Sequence, residues 1–218
     1  QNLTFTISNK KHAQDKRKIE LNIASKISNI VIDNYPNFSE KILCQLYIVQ
    51  GICQVYNLLK NYVVYITPEK DKGLFTDERF LPGEKRNFHF FGQGKNAKLK
   101  MSLVALSEEN DPKKRMATTS KEWSGEFECS KFGLYTIYVN DQFVNVEIRE
   151  NNYDNRIDLY FTEATVDNAK VIIENASGYP AEIQQMDFDY IQVCDSQTKQ
   201  IVKIYTYINP ILILNVDD

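Results

Sequence analysis

KLKMSLVA, residues 98–105, decides the fold class. Leu99, Met101, Leu103 and Ala105 fall on one side of an extended chain, and Lys98, Lys100 and Ser102 on the other. Successive side chains of a strand point to opposite faces, so this period of two reads as a strand with one face in a core and one in water. The alternation continues in both directions. Ile19, Leu21 and Ile23 alternate with Lys18, Glu20 and Asn22, and Val144, Val146 and Ile148 alternate with Asn145, Glu147 and Arg149. Ile157 with Leu159, Ile191 with Val193, and Ile204 among its tyrosines extend the pattern. β-Branched and aromatic residues crowd these stretches, as half-buried pleated surfaces favour. About ten or more short strands at this spacing predict an all-β chain of antiparallel β-sandwich modules in tandem.

Turn chemistry punctuates the strands. Leu81-Pro82-Gly83-Glu84 places Pro and Gly where a type II turn needs a preset φ followed by a positive one. Gly92-Gln93-Gly94 separates the aromatic stretch 88–91 from the strand at Lys98. The polar run SEENDPKKRMATTSKE, residues 107–122, reads as a mobile surface loop, and ENNYDN, residues 150–155, as a joint between modules. Residues 39–56 admit two readings. Ile42, Leu46, Val49, Cys53 and Tyr56 follow Ser39 at near-helical spacing, whereas Gly51 and the run Val63-Val64-Tyr65-Ile66 favour strands. The expected organisation is therefore strands ending a preceding module over residues 1–41, a β-sandwich repeat over 42–155, and a second, possibly incomplete repeat over 156–218.

Composition narrows the function. The chain has 218 residues, 43% hydrophobic and 12% aromatic, enough to bury a core. A formal net charge of -3 argues against a general nucleic-acid binder. Basic spots at Lys95, Lys98 and Lys100, and at Lys113, Lys114 and Arg115, read as solvated surface, with an anionic membrane surface as the sharper alternative. Cys44, Cys53, Cys129 and Cys194 show no C-x-x-C spacing and read as reduced thiols of a reducing compartment. The sequons at Asn2, Asn37 and Asn175 match chance in a chain this rich in Asn, Ser and Thr. The polar start without an initiator Met reads as an excised piece. The apolar run 211–214 is far too short to cross a bilayer.

The sequence carries no recognisable catalytic constellation. His12 and His89 lie far apart and read as surface residues; no zinc-spaced set, P-loop or nucleophile elbow occurs. The acidic pairs Glu108-Glu109, Asp187 with Asp189, and Asp217-Asp218 read as loop or terminal charges. Trp123, the single tryptophan, reads as a packing anchor, with a stacking platform for sugar or peptide as the alternative. The expectation is a non-enzyme without metal or cofactor.

A weak internal echo points further. VYNLLKNYVVYI, residues 55–66, lines up with IENASGYPAEIQ, residues 173–184, matching Asn57 to Asn175. In both, an apolar strand reaches the Asn, a short connection follows, and an apolar strand resumes. A period of roughly 120 residues means tandem domains rather than a solenoid. Such an Asn is either a turn residue or a buried amide pinning two loops.

On these residues the chain resembles the adaptor-binding repeats of the chorein (vacuolar protein sorting-associated protein 13) family. The order of elements carries the likeness: the strand ending in Asn, then Leu81-Pro82-Gly83, the aromatic stretch 88–91, the alternating-leucine strand, and Trp123-Ser124. A closing strand after Tyr207-Ile208-Asn209-Pro210 completes it. It covers roughly residues 42–218, with a longer loop after Ser107 than the family's and a second copy that stops before any LPGE- or WS-like element. The resemblance implies a non-catalytic part of a bridge-like lipid-transfer protein. That part docks short proline-containing peptides of organelle adaptor proteins and is cytoplasmic, peripheral at membrane contact sites. The family's recurring Asn maps here onto Asn57 and Asn175 as binding residues. The alternatives are a secreted or surface β-sandwich for glycan or receptor, and an enzyme with converging carboxylates.

Overall fold

The computed structural model describes residues 2–9, 12–30, 42–51, 53–68, 78–88, 97–109, 122–153, 156–186, 188–205, 207 and 211–216, with side chains from Cys53 onward. The expectations on Asn37, His89, residues 92–95, 113–115, Asp187 and residues 217–218, and those on the side chains of Asn2, His12 and Cys44, lie outside the described residues.

The fold is all-β. Strands β1 (Asn2–Asn9), β2 (His12–Ile30) and β3 (Ile42–Gly51) form an antiparallel meander, β3 pairing with β2 from Ile30↔Ile42 to Leu21↔Gly51. The stretch that sequence pattern left between helix and strand is therefore a strand over Ile42–Gly51. It also goes with the preceding strands rather than with the module beginning at residue 42.

The first complete unit contains β4 (Cys53–Asn57), β5 (Tyr62–Pro68), β6 (Glu78–Phe80), β7 (Lys85–Phe88), β8 (Lys98–Ala105), a helical turn α1 (Leu106–Glu109) and β9 (Phe127–Glu128). The strands β10 (Gly133–Val139), β11 (Gln142–Asn151) and β12 (Arg156–Glu163) follow. Two sheets result, β10-β11-β12-β4-β7 and β6-β5-β8-β9. Their facing side chains make one core: Val55, Phe88, Val146, Leu159 and Phe161 from the first, Val64, Ile66, Phe80, Leu99 and Met101 from the second. Each large side chain fully buried there contributes about 1.5–3 kcal/mol. The one parallel pair among the described residues, β12 with β4, runs from Ile157↔Cys53 to Phe161↔Asn57. On its outer face Tyr160 stacks on Tyr56 with centroids 4.3 Å apart, Lys85 and Arg149 lying over the two rings.

Three boundaries differ from the sequence reading. ENNYDN is not a joint: Asn151 pairs with Arg156, so it is the bend of the β11–β12 hairpin, and β12 belongs to the first core rather than to a module starting at residue 156. The step between units falls after Glu163. The polar loop begins later than Ser107, because α1 covers Leu106–Glu109. Its Glu109 is not a loop charge but is buried, accepting from Tyr65 Oη at 2.8 Å and Arg79 Nη1 at 2.6 Å.

The second unit has β13 (Ile172–Asn175), β14 (Ala181–Gln185), β15 (Ile191–Cys194), β16 (Thr198–Ile201) and β17 (Leu212–Val216). Its sheets are β13-β16 and β15-β14-β17, over a smaller core of Ala181, Ile183, Cys194, Val202 and Ile204.

Candidate functional site

The two asparagines each end a strand and are buried. Asn57 Nδ2 donates to Tyr62 O at 3.0 Å and Phe80 O at 2.9 Å, and its Oδ1 accepts from Leu59 N at 3.1 Å. Asn175 Nδ2 donates to Tyr179 O at 2.8 Å and Cys194 O at 2.9 Å, and its Oδ1 accepts from Ser177 N at 3.0 Å. The two sets are the same three bonds. Each amide satisfies the N–H two residues on, the carbonyl just before or at the start of the next strand, and the last carbonyl of the strand after that. Only a side chain with two donors and an acceptor does this. Both donors are consumed, so each amide holds a loop and a strand end rather than presenting a hydrogen to a ligand.

The correspondence extends through five strands. β5 pairs with β6 and β8, and β14 with β15 and β17; β4 pairs with β7, and β13 with β16. The turn after β6 is the expected type II, with Gly83 at φ 76 and Glu84 N donating to Leu81 O at 3.0 Å. An equivalent turn follows β15, at Asp195-Ser196-Gln197-Thr198, with Gln197 at φ 58 and Thr198 N donating to Asp195 O. The second copy therefore does contain the turn that LPGE forms in the first. Sequence reading missed it because Gln197 replaces the glycine. Its Nε2 bonds Ala176 O and Ser177 O, which help hold the left-handed residue.

Where the copies differ, the second is open. Facing the core, Leu99, Met101 and Leu103 of β8 pair with Pro68, Ile66 and Val64 and are at most 2% exposed. At the matching positions of β17, Leu212, Leu214 and Val216 pair with Gln185, Ile183 and Ala181 and are 39%, 56% and 48% exposed. The outer faces differ likewise. In the first unit Val63, Tyr65 and Val104 are buried, with Leu106 and Trp123 packed on them; Trp123 is the packing anchor there. In the second, register places Ile191, Val193 and Ile213 on the outer face beside Glu182 and Gln184, and all three are exposed, next to exposed Tyr190. The apolar run 211–214 supplies both faces of one strand. That is the signal, unread in the sequence, that both faces are built to be covered.

The units meet through a bonded joint. Tyr207 Oη donates to Thr136 O at 2.6 Å and accepts from Thr136 N at 2.9 Å, capping the outer edge of β10. Its ring packs against both cores, and burial raises its phenol to about 12. Asn145 Nδ2 bonds Asn168 in the connection, and Lys203 Nζ lies 4.3 Å and 4.6 Å from the ring centroids of Tyr138 and Tyr190. Beside the Asn57 loop, Leu59, Asn61, Tyr62, Asp141, Gln142 and Glu163 line a cavity of about 360 Å³. Cys53, Cys129 and Cys194 are buried and free, and burial pushes the Cys53 and Cys129 thiols up.

Among the described residues, no three or more His, Cys, Asp or Glu stand together as a metal site, and no helix is long and apolar enough to cross a membrane. No protein-family model matches the chain, and no curated protein matches it.

Proposed function

We propose that this chain is a non-catalytic docking part of a large chorein-like lipid-transfer protein, placed at organelle contact sites by short proline-containing peptides of adaptor proteins. The observation that carries this reading is the pair of asparagine-closed, five-strand units with matching bonds, the feature on which the family resemblance rests. The surface best suited to the peptide is the outer face of the β15-β14-β17 sheet. Ile191, Val193 and Ile213 offer an apolar strip there, on which an extended proline-containing peptide can lie. Asn175 acts on this face indirectly. By bonding Cys194 O and Tyr179 O, it ties the end of β15 to the start of β14. An extended peptide on such a strip binds at about micromolar strength, because a few contacts offset the cost of ordering it.

A peptide array with proline-containing sequences, followed by titration of the hits, tests the reading. Val193→Asp should weaken binding about tenfold or more, a loss of about 1.4 kcal/mol. An array without hits, alongside clear glycan binding, would replace this reading with a surface glycan-binding sandwich.

A further inference from the structure

The cavity beside the Asn57 loop has fixed walls and a charged rim. We propose that it receives the side chain of a lysine or arginine carried by a partner polypeptide, with the alkyl stem on its apolar floor and the cation at the carboxylates of Asp141 and Glu163. This goes beyond the docking reading and does not rest on it, because the cavity lies in the first unit and the apolar strip in the second.

Three segments build the cavity: the loop after β4, the turn into β11, and the end of β12. Each is tied in place. Asn57 Oδ1 accepts from Leu59 N and its Nδ2 donates to Tyr62 O, so the buried amide shapes one wall. Asn61 O accepts from Leu106 N, and Ala164 N donates to Phe143 O. Asn140 and Asp141 have φ of 49 and 56, as a two-residue hairpin turn requires, and Asn140 Nδ2 anchors the turn on Leu103 O at 3.0 Å. A site formed in advance loses little to ordering when it binds. Its volume of about 360 Å³ suits one long side chain. Leu59 and Val144 are each 1% exposed, whereas Asp141 and Glu163 are exposed. An apolar floor under an anionic rim complements a lysine or arginine, which buries its stem and keeps its charge in water.

The charges at the rim are also unmet. Elsewhere in the first unit Glu78, Glu109, Glu126, Glu128, Glu147 and Asp158 each have a Lys or Arg nitrogen within 3.6 Å. Among the described residues, Asp141 accepts from Tyr138 Oη but has no ion-pair partner, and the Glu163 carboxylate has no partner at all. Lys60, beside Asn61 in the loop, pairs with neither. Two carboxylates fall short of the roughly six oxygen ligands a hard metal ion takes, and no described group of three ligating residues stands there. The fitting cation is therefore organic.

Amide chemical-shift titration of the chain tests this. The probes are the capped tripeptides Gly-Arg-Gly and Gly-Lys-Gly, the neutral isostere Gly-citrulline-Gly, and putrescine. The basic peptides should saturate at about millimolar strength and shift the amides of Leu59, Asn61, Phe143 and Ala164. The citrulline peptide should bind about tenfold more weakly or worse. Asp141→Asn, which keeps an acceptor for Tyr138 Oη, and Glu163→Gln should each weaken the basic peptides about threefold, as exposed ion pairs allow. Glu174→Gln, at an exposed carboxylate of β13, should change nothing. Circular dichroism matching wild type shows that the variants still fold. Citrulline and arginine peptides binding equally, neither rim variant having an effect, or shifts confined to other parts of the chain would each overturn the inference. Putrescine binding as tightly as the peptides would assign the cavity to a small diamine and overturn the polypeptide partner. None of these outcomes depends on the strip of the second unit, so the docking reading and this inference fail separately.

Discussion

At Asn57 and Asn175 one side chain does what usually takes two or three. Each buried amide fills three backbone valences that would otherwise be stranded away from water. Replacing either residue by Ala leaves those groups unpaired, and Asn57→Ala and Asn175→Ala should each cost roughly 1–3 kcal/mol in urea unfolding. Asp in either place supplies acceptors only and adds a buried charge, so it should cost at least as much. Asn152→Ala, at an exposed bend, should stay within about 0.5 kcal/mol. An Asn57→Ala variant as stable as that control would show that the amide holds nothing. Tyr207 makes a second prediction at this scale. Its folded pKa is raised to about 12, above the ordinary value of 10.0, so the folded state holds the proton more tightly than the unfolded chain. Its contribution is present in full below the unfolded pKa and declines as pH rises from 10.0 towards 12. Tyr207→Phe cannot make either bond to Thr136 and should flatten that alkaline decline while lowering stability at neutral pH.

Matched elements in unmatched surroundings allow paired predictions. Leu99 and Leu212 sit at the same register of β8 and β17, one fully buried and one 39% exposed. Leu99→Ala should cost about 2–5 kcal/mol, as cavities in closed cores do. Leu212→Ala, measured in dilute chain, should cost under about 1 kcal/mol, because much of its surface already meets water. Equal losses would mean that the second face is closed after all. The two turns form the other pair. Gly83→Ala forces a side chain into the left-handed region and should destabilise by about 1–2 kcal/mol. How much of this was legible varies by element. The LPGE turn could be read because Pro and Gly announce it, whereas the Asp195–Thr198 turn could not, because Gln197 has no such bias and is held by long-range bonds to Ala176 and Ser177.

For the whole molecule, the buried thiols report on integrity. Cys53, Cys129 and Cys194 should resist a thiol reagent while the chain is folded, because each is buried and burial disfavours the reactive thiolate of Cys53 and Cys129. All four cysteines should react once the chain is unfolded without reductant. Fewer than four would indicate a disulfide. The joint through Tyr207, Asn145 and Lys203 ties the units into one another, so the order of modules could be read from sequence more easily than the place where one ends. β12 reads like any alternating strand, and only its parallel pairing with β4 assigns it to the first core.

The sequence by itself determined the all-β class, the alternating faces, the type II turn and the pairing of Asn57 with Asn175. These follow from local chemistry: period-two burial, the fixed φ of Pro, the freedom of Gly, and an amide at the end of an apolar strand. Only the tertiary structure decided which strands close which core, that the second unit repeats the first strand for strand, and that Leu212, Leu214 and Val216 stay exposed on the inner face of the second unit. The reason is that whether an apolar face is covered depends on strands distant in the chain, and a residue's own neighbours in sequence carry no record of them.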